Sequence, residues 1–294
     1  MPFPYHHFAL LFSATCLTSQ PIFAETVTQT WQGKTLNGNL QLAEDSALAD
    51  GVFLITHGTL AHNEMELISS LQSALADEGK NSLAVNLSLS VDNRFGMYQC
   101  EVAHQHQHQD AVYELDQWLS WLQKQGSGDI YAVGHSRGGN QTAQFSQQQA
   151  SVKGQILIAP MTWDAKEAAT AYQQRYQQPL APLLKEAQEM DSQAWLKDIG
   201  FLYCPNSQVR AGSFLSYYRD DAKRDTPALL REAVTPTLVI SGSEDQTVKQ
   251  LATRMASINN PNVSHYQVDG ADHYFRDLYL DDIVEQILTF VDEQ

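Results

Sequence analysis

The chain has 294 residues, of which 43% are hydrophobic and 10% aromatic, so it can bury a sizeable core as one large α/β domain or a domain with an insertion. Its formal net charge of −16 argues against a nucleic-acid partner, because binding to phosphates needs a cationic face and no run of Lys and Arg is visible. From the charge we expect a soluble protein with neutral or cationic substrates.

The first stretch, Met1–Ala24, contains no Lys, Arg, Asp or Glu and has an apolar centre. It resembles a secretory signal peptide that is cleaved before Glu25, although His6 and His7 replace the usual basic residues at its start. The apolar run is too short to span a membrane. We therefore expect residues 1–24 to be a signal peptide, residues 25–294 to form the mature domain, and the protein to be periplasmic or secreted.

Three cysteines are present, and removal of the leader would leave Cys100 and Cys204. An isolated pair in an oxidising compartment is a disulfide candidate, with two separate thiols as the alternative. The sequence leaves both open. The third, Cys16, follows Ser13-Ala14-Thr15, which does not match a lipobox, so we do not expect a lipid anchor.

After the leader, polar and apolar residues alternate over 27–31 and 38–43, which predicts an antiparallel hairpin at a sheet edge. Strands and helices then alternate. Buried strands are predicted over 52–56, 82–87, 129–134, 154–160, 236–241 and 263–268, and helices over 64–76, 110–123, 140–150, 246–258 and 277–290. This order predicts a doubly wound, mostly parallel sheet.

Two stretches interrupt the alternation. Residues 88–108 have no sustained period and predict a long functional loop. Residues 161–232 contain helix-like pieces over 165–177 and 184–196 with no buried strand between them, which predicts a helical cap inserted after a strand.

The stretch from Gly134 to Gly138 reads G-H-S-R-G between a predicted strand and a predicted helix. This is the pattern of a nucleophile elbow, a strained turn that exposes a serine and needs small residues two positions before and after it. Gly134 and Gly138 meet that requirement. We predict that Ser136 is a nucleophile.

A serine nucleophile needs a base, and the base needs an orienting group. His273 follows the last predicted strand and is the candidate base, while Asp245, also just after a strand, is the candidate acid. Strand ends of this kind meet at one edge of a parallel sheet. Glu244 and Asp164 are the alternatives for the acid. We expect His135, His265, Arg137 and Asp272 to be supports, the last two ion-paired.

Four motifs occur in order: H-G at 57–58, G-H-S-R-G-G at 134–139, G-x-x-D-x-x-V at 242–248 and G-x-x-H at 270–273. With them, the chain from about residue 51 to residue 294 resembles the α/β-hydrolase-fold serine hydrolases, the superfamily of esterases, lipases and dienelactone hydrolases. The resemblance implies an oxyanion hole formed by the backbone N–H of Arg137 and of Thr59, with Leu60 as the alternative to Thr59. It implies no cofactor and gives His57 a structural role.

Histidines alternate at positions 104, 106 and 108, between Cys100 and Asp110, and the family pattern does not explain them. A metal site is one hypothesis, because these are borderline-soft ligands. We favour a polar loop without a metal, and a disulfide at Cys100 would remove its thiolate from any ligand set.

The sequence thus predicts a serine hydrolase with the triad Ser136, His273 and Asp245 that cleaves a small-molecule carboxylic ester or, less favoured, an amide. A serine peptidase of the same fold is the first alternative. A non-catalytic or metal-binding protein that keeps the fold is the second.

Overall fold

The computed structural model describes residue 1 and residues 24–294. The expected signal peptide lies outside the described residues apart from its two ends, and export stays a prediction. In the described part of the chain, no helix has both the length and the apolar character needed to cross a membrane.

A mixed sheet of eight strands forms the centre of the described chain, in the order β1-β2-β4-β3-β5-β6-β9-β10. The described residues form ten strands, of which all but β7 and β8 belong to this sheet: β1 (Glu25–Trp31), β2 (Lys34–Gln41), β3 (Val52–Thr56), β4 (Ser82–Asn86), β5 (Ile130–His135), β6 (Val152–Ile158), β7 (Trp195–Phe201), β8 (Cys204–Arg210), β9 (Thr237–Gly242) and β10 (Val263–Val268). The six strands from β4 to β10 in this order run parallel, whereas β1 and β2 add an antiparallel edge. The predicted doubly wound sheet with an N-terminal hairpin is confirmed.

Helices cover both faces of this sheet. They are α1 (Glu66–Asp77), α2 (Asp110–Lys124), α3 (Arg137–Ser146), α4 (Ala165–Tyr176), α5 (Leu180–Glu189), α6 (Ala211–Tyr218), α7 (Thr226–Leu230), α8 (Leu251–Met255) and α9 (Tyr279–Asp292). A hydrophobic core lies on each face of the sheet, and alternate residues of β3 point into them. Phe53 and Ile55 pack in the core with α1 and α9, and Val52 and Leu54 in the core with α2. Because β3, β4 and β5 are buried on both faces, their residues are mostly apolar.

Residues 161–232 do form an insertion between β6 and β9, and its helices α4 to α7 match the expected helical cap. The cap also contains an antiparallel pair, β7 and β8, which the sequence pattern did not predict. The expected helix over 184–196 is wrong beyond Glu189, because Trp195 begins β7. Pairing between neighbouring segments overrides the helical pattern there.

The helix expected over 246–258 is also shorter in the structure, where α8 covers Leu251–Met255. Residues 246–250 instead form a bend and a turn, in which the backbone N–H groups of Thr247 and Val248 both donate to Asp245 Oδ1, at 2.7 and 2.9 Å.

A disulfide joins Cys100 in the long loop to Cys204 at the start of β8. Two further contacts tie the same segments: His104 N–H donates to Gln208 O at 2.8 Å, and Arg210 N–H donates to His104 O at 3.0 Å. The disulfide and these two hydrogen bonds therefore fix the long loop beside β8 at the edge of the small cap sheet.

This connectivity predicts a large loss of stability in the double variant Cys100→Ala/Cys204→Ala, since the bond closes a loop with a sequence separation of 104 residues. We expect the free energy of unfolding in urea to fall by about 2–4 kcal/mol. Dithiothreitol should lower the stability of the wild type by a similar amount and leave the variant unchanged. Equal stability of the two proteins under oxidising conditions would contradict the prediction.

Candidate active site

The turn between β5 and α3 has the geometry of a nucleophile elbow. Ser136 lies between them with φ 57° and ψ −121°, a conformation that L residues rarely adopt. A Cβ atom on Gly134 would lie 2.5 Å from Gly138 O, and one on Gly138 would lie 2.3 Å from His57 O. Both positions therefore exclude any side chain, as the sequence motif requires.

The structure brings Ser136, His273 and Asp245 together. His273 Nε2 lies 3.0 Å from Ser136 Oγ, and His273 Nδ1 lies 2.8 Å from Asp245 Oδ2. His273 and Asp245 are each only 6% exposed. The three side chains form one hydrogen-bonded chain at the carboxyl edge of the parallel strands, with Ser136 at its open end.

The carboxylate of Asp245 is held ionised. Burial acts to raise its pKa, but hydrogen bonds from His273 and from the backbone N–H groups of Thr247 and Val248 outweigh this effect and lower the pKa below its usual value. A buried carboxylate in this state can fix the imidazole and stabilise its protonated form.

The alternative acids lie elsewhere. Glu244 is exposed. Asp164 caps α4 and accepts hydrogen bonds from Lys166 N–H and Glu167 N–H, both at 2.9 Å.

The loop that follows β3 lies against the nucleophile. A Cβ on Gly58 would stand 3.2 Å from Ser136 Cβ, which is tighter than most Cβ contacts, so the two segments approach each other closely. Among the described residues, the N–H groups of Thr59 and Leu60 donate no hydrogen bond. The N–H of Arg137, at the first position of α3, has no partner within the helix by its position. Donors of this kind are available to an oxygen on the substrate.

His57 stabilises this loop through hydrogen bonds of both its ring nitrogens. Its Nδ1 donates to Gly58 O at 2.9 Å, and its Nε2 accepts from Leu87 N–H at 3.1 Å, which fixes the neutral tautomer. Burial and then the nearby charge of Arg94 lower its pKa to about 3. A histidine that stays neutral and has both nitrogens engaged is a structural residue, as the resemblance implied.

Arg94 is a site residue that sequence reasoning missed. It is 5% exposed, and burial lowers its pKa to about 10. Its guanidinium reaches four acceptors at 2.5–2.9 Å, namely Leu87 O, Gly96 O, Ala61 O and Asn86 Oδ1, and lies 3.0 Å from His57 Nε2. One side chain thereby joins the long loop to the loop after β3. The only signal in the sequence was a single cation in an aperiodic stretch.

The other predicted supports lie around the site. His135 Nε2 donates to His273 O at 2.9 Å, and His265 Nε2 lies 2.8 Å from Ser241 Oγ, so neither acts on Ser136. The expected ion pair between Arg137 and Asp272 is wrong. Asp272 pairs with Arg276 at 3.6 Å, and Arg137 Nε instead donates to Thr59 Oγ1 at 2.9 Å.

The alternating histidines of the long loop are buried in the core. His106 Nδ1 lies 2.8 Å from Tyr217 Oη, and His104 Nδ1 lies 3.3 Å from His106 Nε2. Burial lowers the pKa of all three, that of His104 to about 4. The described residues contain no group of three potential ligands arranged for a metal, and Cys100 is in the disulfide. These neutral rings pack the loop against the cap.

Beside the triad lies a cavity of about 550 Å³ between the sheet edge and the cap. Its wall includes Arg137, Gln246 and Tyr274, which adjoin the three triad residues along the chain. The cap supplies Trp163, Tyr172, Tyr176, Tyr217 and Tyr218, among others. An aromatic pocket next to a serine is suited to a small organic substrate.

A model of the alpha/beta hydrolase family matches residues 52–285. No curated protein matches the chain in a sequence comparison. Among solved structures, Est1E from Butyrivibrio proteoclasticus is 17% identical, with a TM-score of 0.63 over 91% of this chain and 98% of that one. An alpha-beta serine hydrolase homologue from Coxiella burnetii is 17% identical, with a TM-score of 0.56 over 92% and 99% of the two chains. The Pyrococcus furiosus esterase Pf2001 is 16% identical, with a TM-score of 0.60 over 92% and 91%. At these identities the structures establish a shared fold.

The contacts of Arg94 predict that Arg94→Lys impairs turnover of an activated ester. An ammonium cannot reach the same spread of acceptors. We expect kcat to fall about 10- to 100-fold, because small displacements near reacting groups are costly, and KM to change little. The matched control is Arg231→Lys on the surface. Wild-type kcat in Arg94→Lys, with only a lower urea midpoint, would show that Arg94 acts on stability alone.

Proposed function

The chain belongs to the alpha/beta hydrolase family, and on that basis we propose that it hydrolyses a carboxylic ester through an acyl intermediate on Ser136. The observation that carries the proposal is the hydrogen-bonded chain from Asp245 through His273 to Ser136, with distances of 2.8 and 3.0 Å. A serine hydroxyl is a weak nucleophile near neutral pH, and these hydrogen bonds supply the base and the orienting acid that it needs.

In the proposed first step, Ser136 Oγ attacks the carbonyl carbon of the ester while its proton passes to His273 Nε2. Asp245 stabilises the imidazolium and keeps Nδ1 protonated. The imidazolium then gives the proton to the oxygen of the departing alcohol as the C–O bond breaks. The acyl group remains on Ser136.

The tetrahedral intermediate carries its negative charge on the former carbonyl oxygen. We assign the N–H of Arg137 as one donor to this oxygen and the N–H of Thr59 as the second, with Leu60 as the alternative. The removal of one such donor typically costs about 3–4 kcal/mol of transition-state stabilisation. The packing of Gly58 against Ser136 supports this assignment, because it brings the loop beside the reacting atoms.

In the second step a water molecule replaces the alcohol. His273 takes a proton from the water, the hydroxyl attacks the acyl carbon, and the acid is released as His273 returns the proton to Ser136 Oγ. Every proton in this scheme moves through His273 Nε2, and no cofactor takes part.

The first prediction concerns the nucleophile. A fluorophosphonate probe should label the wild type, and Ser136→Ala should lose both this labelling and the hydrolysis of p-nitrophenyl esters, by at least about 10³-fold. Esters should be cleaved faster than aminoacyl amides, which separates an esterase from a peptidase. Persistent labelling of Ser136→Ala would assign the nucleophile to another residue.

The second prediction concerns the acid. Asp245→Asn should lower kcat about 10³- to 10⁴-fold, because the amide disfavours the tautomer of His273 that accepts the serine proton. The neighbouring Glu244→Gln makes the same change of charge at an exposed position and should stay near wild type. Equal losses in the two variants would refute the assignment.

A further inference from the structure

The charged groups in the wall of the cavity are all cationic. Arg137, Arg175 and Lys249 line it, and none of the described Asp and Glu residues does. The whole chain has a formal net charge of −16, from which we expected neutral or cationic substrates. The local charge of the cavity is therefore opposite to that of the whole molecule.

A further guanidinium lies close behind this wall. Arg224 in the cap is 3% exposed, and its Cζ lies 4.3 Å from the centre of the Trp163 ring, which lines the cavity. Asn140 Nδ2 donates to Lys223 O at 3.1 Å, so the neighbouring Arg224 lies against the first turn of α3, the helix that begins at Arg137. Burial and then the positive charge of Arg137 lower the pKa of Arg224 to about 10. Two like charges in one poorly solvated region are unfavourable unless anions lie near them.

Neither guanidinium is fully satisfied by the described residues, although Arg137 Nε donates to Thr59 Oγ1. The Nη1 atoms of Arg137 and Arg224 are buried and have no hydrogen-bond partner among the described residues. No ion pair to either side chain occurs in that part of the chain. A buried donor without a partner is unfavourable, and more so when it is charged.

The carboxylates closest along the chain to Arg224 are engaged elsewhere. Asp225 Oδ2 lies 2.6 Å from Arg254 Nη2, and its Oδ1 accepts from Trp163 N–H. Asp221 Oδ1 accepts from Lys223 N–H, and Asp220 Oδ1 accepts from Trp163 Nε1. The protein therefore has Arg137 next to the candidate nucleophile and Arg224 behind the cavity wall, and the nearby charges of Asp221 and Asp220 only partly offset the lowering of the Arg224 pKa.

We propose that Arg137 and Arg224 bind a carboxylate group of the substrate, so that the enzyme hydrolyses esters that carry a free carboxylate. The proposal rests on the hydrolase function proposed above and adds the substrate class. Arginine is suited to this role because its fork of N–H groups matches a carboxylate, and charge-assisted hydrogen bonds of this kind are about twice as strong as neutral ones. Arg137 directly follows Ser136, so an anion held there would place the rest of the ester near the nucleophile.

The test compares matched esters that differ only in the charge. Mono-p-nitrophenyl succinate and its methyl ester place the carboxylate on the acyl side, and 4-acetoxybenzoate and its methyl ester place it on the alcohol side. We expect the wild type to have a kcat/KM at least about 10-fold higher for the anionic member of one pair, since hydrogen bonds to charged groups discriminate by this amount or more. The pair that shows the preference identifies the side of the ester that is bound.

In Arg224→Met, the ratio of kcat/KM for the anionic ester to kcat/KM for its methyl ester should fall about 10- to 100-fold. Lys223→Met is the matched control, since it removes the same charge from the adjacent, exposed residue and should keep the ratio. Arg137→Met should also lower the ratio of kcat/KM for the anionic ester to that for its neutral partner. This second variant keeps the test decisive if Arg224→Met does not fold.

Binding of succinate to the wild type, measured by calorimetry, provides a readout that does not depend on turnover. It should be saturable, and it should be lost in Arg224→Met and retained in Lys223→Met. Fluorophosphonate labelling of Ser136 with no preference for either anionic ester and no succinate binding would overturn the carboxylate site and leave the hydrolase proposal standing. Absence of labelling would instead refute the hydrolase, while succinate binding would still support the anion site.

Discussion

The close packing of the elbow against the end of β3 is the constraint on which the site depends. Gly138 lies so near His57 O that it has no room for a side chain, and even a Cβ on Gly58 would stand 3.2 Å from Ser136 Cβ. This contact fixes the distance between the candidate nucleophile and the loop that is assigned to the oxyanion hole. Because both segments continue directly from parallel strands, the rigidity of the sheet passes to the site.

The long loop and the cap stabilise this arrangement from the other side. Arg94 bonds carbonyls of two loops, the buried histidines pack against Tyr217, and the disulfide fastens the same segment to β8. Tyr217 also lies beneath Arg137, with Cζ 5.1 Å from the ring centre. The residues around Ser136 are thus held by contacts from the sheet, the loop and the cap, and the cap carries Arg224, the second cation of the proposed carboxylate site.

The parts of the protein that could be predicted from the sequence are those encoded locally. Strands such as β3 and β5 are short apolar runs, and Ser136, Asp245 and His273 each lie in a motif at a strand end. Residues that depend on distant partners gave no such signal. Arg94 becomes important only when residues 57, 61 and 86 fold around it, and the position of Arg224 depends on how the cap packs. The pattern over 246–258 did not indicate that residues 246–250 form a bend and a turn, in which the Asp245 carboxylate accepts from two backbone N–H groups.

The most direct test of the central claim is a crystal structure of the protein after reaction with an alkyl fluorophosphonate. We expect a phosphonyl group on Ser136 Oγ, with its free oxygen within hydrogen-bond distance of Arg137 N–H and of Thr59 or Leu60 N–H, and His273 Nε2 facing the leaving-group side. An adduct on another residue, or a phosphonyl oxygen directed away from both loops, would contradict it.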